Sequence, residues 1–179
     1  MKKILSLLLV ALFLLFSAHI ANAQDASSSA SPSAAPQVSY DLAYPGLLPD
    51  HPLYFFKVIR DKVVSSLIND PIKRAEFNLL TSDKRFNAAL SLIEKGKEEK
   101  AVDTLSKSNN YFHDSIVSLE KAKSMDRDMT ALRDREREAL SKRFEITKGL
   151  EKEISKDYKK GLQEEVKRMK KLEDRLNDL

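Results

Sequence analysis

The chain reads as a succession of apolar stripes at three- and four-residue spacing, separated by short runs of Pro, Gly, Asn and Asp. The first stripe follows Pro49-Asp50-His51-Pro52. Asp50 or His51 is placed to cap a helix there, and Pro52 suits a first turn in which its missing N–H is not needed. Apolar residues at 55, 56, 59, 63, 64, 67 and 68 then predict a helix over 53–68. Asn69-Asp70-Pro71 repeats the punctuation, with Asp70 as N-cap and Pro71 at the first helical position. The helix it opens should run to about Lys95 and stop at Gly96. Its stripe is Ile72, Leu79, Phe86, Leu90 and Ile93, and Ala75 and Ala89 let a neighbour approach closely. Val102, Leu105, Asn109, Phe112, Ile116 and Leu119 mark a third helix. The short turn at Gly96 folds the second and third into an antiparallel hairpin, each arm about 25 residues or about 37 Å long.

The last segment, 126–179, contains no Pro and only Gly149 and Gly161 as weak points, so it predicts one very long helix or two. Met129, Leu132, Leu140, Phe144, Leu150, Ile154, Tyr158, Leu162, Val166, Met169, Leu172 and Leu176 give the spacing of a coiled-coil or bundle seam. Its 16 Lys and Arg are interspersed with 14 Asp and Glu, the pattern of a solvated helix face. The expected fold class is all-α: a helical domain over 40–125, built as an antiparallel hairpin or bundle, with a long C-terminal amphipathic, coiled-coil-like helix over 126–179.

Ahead of these stripes the pattern changes. Met1-Lys2-Lys3, an apolar run from Ile4 to about Ala18, and Ala21-Asn22-Ala23 follow the plan of a secretory signal over residues 1–23. The run is about 15 residues, short of the roughly 20 that span a bilayer, so cleavage near Ala23 outweighs anchoring. The expected location is outside the cytoplasm: periplasmic, cell-surface or secreted. Residues 24–39, rich in Ser, Ala and Pro, have too little apolar surface to fold and read as a disordered tether.

Composition narrows the function. A length of 179 residues fits one domain, and four Gly with no Cys and no Trp argue against a loop-rich or disulfide-stapled fold. The absence of Cys also excludes lipid attachment at the cleavage point. The net charge is +4, and Lys2 and Lys3 leave with the signal, so no nucleic-acid partner is expected. Beyond residue 23 the histidines are His51 and His113, neither beside a nucleophile with an orienting partner. There is no His-Glu-x-x-His or Glu-x-x-His pair, and the glycines are too isolated to cradle phosphate. Asp126-Arg127-Asp128 lacks the later Gly and Glu of a calcium loop and reads as a helix start. The sequence therefore offers no catalytic residue, cofactor site or metal site, and an enzyme is not expected.

The run Pro45-Gly46-Leu47-Leu48-Pro49-Asp50-His51-Pro52-Leu53-Tyr54-Phe55-Phe56-Lys57, followed by Asn69-Asp70-Pro71-Ile72-Lys73-Arg74-Ala75-Glu76, resembles domain-of-unknown-function family 5667. That bacterial family opens with LPD-x-PLY-x-x-K and continues near D-P-x-x-(K/R)-A-E. The resemblance covers about residues 45–122 and implies an exported or membrane-tethered helical domain with no assigned catalytic residues. The expectation for 126–179 rests on periodicity alone. Within the motif, Leu53, Tyr54 and Phe55 could face a ligand, but packing of the first turn against the hairpin weighs more. Lys57 lies one turn from Asp61, worth no more than about 0.5 kcal/mol as an ion pair, so it could equally mark a partner contact.

The expected function is a non-catalytic extracytoplasmic protein–protein interaction module, meeting a partner or a second copy through the C-terminal helix. Its candidate interaction residues are Leu53, Tyr54 and Lys57 of the motif with Phe144, Leu150, Ile154, Tyr158, Leu162, Val166 and Met169 of the last segment. The alternative is an envelope holdase-type chaperone that shields unfolded exported proteins. Membrane-surface binding by the last helix is weakened by its balanced charge and the missing Trp.

Overall fold

Every apolar stripe becomes a helix in the computed structural model, which describes residues 39–179. Five helices form among these residues and no strand: α1 (Tyr54–Leu67), α2 (Pro71–Glu94), α3 (Glu98–Ser124), α4 (Thr130–Glu153) and α5 (Lys156–Asn177). The expected signal over 1–23 and tether over 24–39 fall outside the described residues, save Ser39.

The chain punctuation works largely as the sequence indicates. The Asp70 carboxylate accepts from the Lys73 N–H at 3.0 Å, and Pro71 occupies the first turn of α2. Gly96 takes φ +68°, a conformation costly for a side chain, which lets the N–H groups of Gly96 and Lys97 close on the carbonyls of Ile93 and Leu92. Three local expectations change. Asp50 and His51 do not cap α1, whose N-cap position is Leu53 with no side-chain cap; His51 Nδ1 instead accepts from the Leu53 N–H at 3.1 Å. Asp126 is the φ +52° residue that ends α3, and of the two acids there only Asp128 serves the next helix, accepting from the Thr130 N–H at 3.0 Å. The last segment is two helices, broken at Ile154-Ser155 and not at either glycine.

That break has a physical cause. Ile154 and Ser155 are both extended, which turns the Ile154 side chain into the core. The Ser155 N–H and hydroxyl both donate to the Glu98 carboxylate at the start of α3. An acid from another helix thus holds the N-cap residue of α5 in place. Gly161 lies close against α3: a Cβ there would meet Val102 Cγ1 at 2.9 Å.

The hairpin of α2 and α3 is the most extensive contact in the fold. α5 packs on α3 and on α4, and α4 closes the ring against α2. Cross-links run parallel between α3 and α5, from Asn109 with Glu165 to Glu120 with Arg175, so two helical hairpins form a four-helix bundle. Phe86, Leu105, Phe112, Ile116, Leu140, Leu162, Met169 and Leu176 fill its centre. Residues 40–125 and 126–179, expected as hairpin and appended helix, are therefore parts of one compact unit spanning 37–179.

Candidate docking surface

Before α1, residues 40–50 run along α2. The Tyr40 hydroxyl donates to Asp83 at 2.5 Å, Asn87 donates to the Ala43 carbonyl at 3.2 Å, and Asp50 reaches Lys97 at 2.7 Å and Lys95 at 3.4 Å. The hydrogen bond from Lys97, with that from Lys95, holds the Asp50 carboxyl down at about 2. The chain then reverses, and α1 lies over the outer side of the α2–α3 hairpin.

α1 is mounted with its polar side inward. Tyr54, Lys57, Val58, Asp61, Ser65 and Ile68 are buried or half-buried and share one helical face. Across a groove they face a mostly polar floor of Asn78, Tyr111, Asp114 and Ser118 with Val117 among them, and the buried Arg85 reaches Tyr54. Arg85 donates to the Tyr54 hydroxyl at 2.7 Å and stacks on the Tyr111 ring at 4.7 Å. Lys57 donates to the carbonyls of Pro45 at 2.5 Å and Leu47 at 3.2 Å, which clamps the turn before α1. Burial pushes the Lys57 ammonium below, and the Tyr54 phenol above, their ordinary values. At the far end Arg74 donates to the Ile68 carbonyl, and Arg127 pairs with Asp70 at 3.1 Å.

The LPD-x-PLY-x-x-K motif is thus a set of polar latches. Tyr54 and Lys57 fasten α1, Asp50 fastens the loop, and Leu53 is exposed. The expected Lys57–Asp61 pair does not form: Lys57 is engaged by backbone carbonyls, and Asp61 accepts from Arg60 at 2.8 Å.

Inward polarity leaves the apolar residues of α1 outside. Phe55 is 64% exposed, Phe56 66% and Leu67 73%, and Ile59, Val63 and Val64 are exposed beside them. Fully burying such a side chain gains about 1.5–3 kcal/mol, and these, partly covered already, would each gain a corresponding fraction, so the face represents several kcal/mol of burial the isolated chain forgoes. A contiguous apolar stripe on a surface helix marks an interaction site more often than a scattered residue does.

The expected seam of the last segment goes the other way. Leu162 and Met169 are fully buried, Ile154 nearly so, and Phe144, Leu150, Tyr158 and Val166 are half-buried against the same core. The bundle itself consumes that face, so these residues do not form an external surface in this chain. The apolar spacing of α1 was legible; that Tyr54, Lys57 and Asp61 would claim the inner side and turn the apolar stripe outward was not.

Sequence reasoning also missed a buried polar network between the hairpin and α4. Arg143 is fully buried with its guanidinium between Phe86 and Phe112, 5.2 and 4.6 Å from the ring centroids. It pairs with Asp83 at 2.8 Å and donates to Ser82 at 2.9 Å, and Ser82 and Ser108 cross-link α2 and α3. Beside it Ser115 donates to Glu136 at 2.5 Å. Burial raises the Glu136 carboxyl to about 8, against the opposing effects of Ser115 and Arg143. The signal available was the Ser82, Ser108 and Ser115 set, small hydroxyls on otherwise apolar stripes. His113 lies at the edge of the bundle, with Nε2 2.7 Å from an Arg175 nitrogen. No group of three or more His, Cys, Asp or Glu side chains is placed to hold a metal among the described residues.

A family model described as a domain of unknown function, DUF5667, matches residues 46–178. No curated protein and no solved structure matches significantly. The chain belongs to the DUF5667 family, and the match extends well past the 45–122 expected from the motifs, taking in α4 and all of α5, which belong to the same bundle.

Proposed function

We propose that this DUF5667 member is a non-catalytic, extracytoplasmic docking module whose working surface is the outward apolar face of α1. One observation carries the reading: a helix fastened to its own body by polar latches while six large apolar side chains face solvent. A helix serving only the bundle would gain stability by turning the other way. The four-helix body gives this face a rigid mount. Export is the expectation drawn from residues 1–23, and the docking role replaces the C-terminal seam with α1 as the contact.

The chain has no Cys, so a single engineered thiol can be labelled uniquely. An environment-sensitive dye at Val63→Cys on α1 should shift to the blue when the native envelope fraction is added, whereas the same dye at exposed Lys170→Cys on α5 should not. A shift at position 170 alone, or at neither, contradicts the assignment. General suppression of client aggregation by α1 would instead favour the holdase.

A further inference from the structure

We infer that the occupant of the α1 face is an anionic membrane surface, an assignment that rests on the docking role above and names its partner. Phe55, Phe56, Ile59, Val63 and Leu67 cover about a third of the helix circumference at 100° per residue. Lys62 borders this stripe on one side and Arg60, paired with Asp61, on the other, and both are exposed. The acid on α1, Asp61, is turned inward and paired with Arg60. Beyond Lys62 lies an open groove of about 490 Å³ between α1 and the hairpin, lined by Ser65, Ser66 and Arg74 with one acid, Asp114. Along a single helix, then, an apolar stripe runs beside a cation-edged, hydroxyl-rich groove. That is the profile of the boundary between acyl chains and phosphate headgroups.

The shape and the charge both select against other occupants. α1 is a ridge of 14 residues, about 21 Å long, and a ridge can settle into a bilayer interface without a preformed cleft opposite it. Pairing with a second copy would bring the Lys62 ammonium, which has no ion-pair partner on its own helix, against the basic edge of the other copy. Among the described residues no helix is long and apolar enough to cross a membrane, so contact through these residues is at the surface.

The test uses residues 37–179, whose core is complete within them, so that the apolar run Ile4–Ala18 adds no affinity of its own. Co-sedimentation is measured with vesicles of phosphatidylcholine alone and with phosphatidylglycerol added. The chain should pellet with the anionic vesicles about tenfold more strongly than with the neutral ones, and lose that preference in high salt. Phe55→Glu with Ile59→Glu, both exposed in the bundle, should keep the helical circular dichroism and lose binding by about tenfold or more. Lys62→Glu should weaken binding severalfold. Absence of wild-type binding to anionic vesicles, or equal binding to neutral ones, overturns the lipid assignment. A concentration-dependent dimer abolished by the double variant would also overturn it, while leaving α1 as a docking face with a second copy as occupant. Vesicle binding that survives the double variant would remove α1 from the contact altogether.

Discussion

At the scale of single residues, the bundle concentrates its risk in a few buried charges. Arg143 and Asp83 are joined in the core with Tyr40 as a second donor to Asp83, so removing the guanidinium leaves a buried carboxylate short of a partner. Arg143→Met should therefore destabilise the fold by about 3–5 kcal/mol in urea titration, more than a surface Arg change would. Glu136 makes a prediction in pH. Its carboxyl keeps its proton up to about 8 in the fold but titrates near 4.5 when unfolded. Between those values the unfolded chain has lost a proton that the folded chain retains. Stability should fall by up to about 1.4 kcal/mol per pH unit across that window and level off above it. Glu136→Gln keeps an oxygen for Ser115 and should flatten the descent, so its advantage over the wild type grows from pH 5 to pH 8. Parallel stability curves would contradict this. Of this network only the hydroxyls of Ser82, Ser108 and Ser115 left a trace in the chain; its charges did not, because an Arg and a Glu seven residues apart on a highly charged helix look like solvated face until the facing serines are placed.

At the scale of elements, most of what the sequence indicates survives, for reasons visible in particular residues. Asp70-Pro71 and Gly96 state their roles locally, so the hairpin was readable. The break between α4 and α5 was not read, because Ser155 marks a helix start only once Glu98, 57 residues away, is brought to it. The two glycines taken as weak points separate by environment. Gly149 has open space where a Cβ would go, so Gly149→Ala should add about 0.5–1 kcal/mol of helix stability. At Gly161 the added methyl must displace Val102, so Gly161→Ala should forfeit that gain, and Gly161→Leu should cost about 1–3 kcal/mol. Thermal unfolding of the three variants checks the order. The latches on α1 make a separate prediction: Tyr54→Phe with Lys57→Met should accelerate amide hydrogen exchange across α1 while α2 and α3 stay protected. Equal protection in the variant would mean that Val58 and Ile68, and not the polar side, hold the helix.

At the scale of the whole molecule, the chain divides into a body that covers its own apolar faces and a helix that does not. The seam over 126–179 fitted a coiled coil or a bundle equally, and the first stripe, over 53–68, looked like an ordinary packed helix; periodicity reports an apolar face without saying what will cover it. The bundle covers the seam, and the polar floor beneath α1 turns the first stripe outward. Hydroxyl-radical footprinting read by mass spectrometry tests that division side chain by side chain. In the isolated protein Phe55 and Phe56 should be oxidised rapidly while Phe86 and Phe112 are protected, and addition of anionic vesicles should protect Phe55 and Phe56 as well. Protection of Phe55 and Phe56 in the isolated monomer would show that the chain already covers this face, and would contradict the central claim.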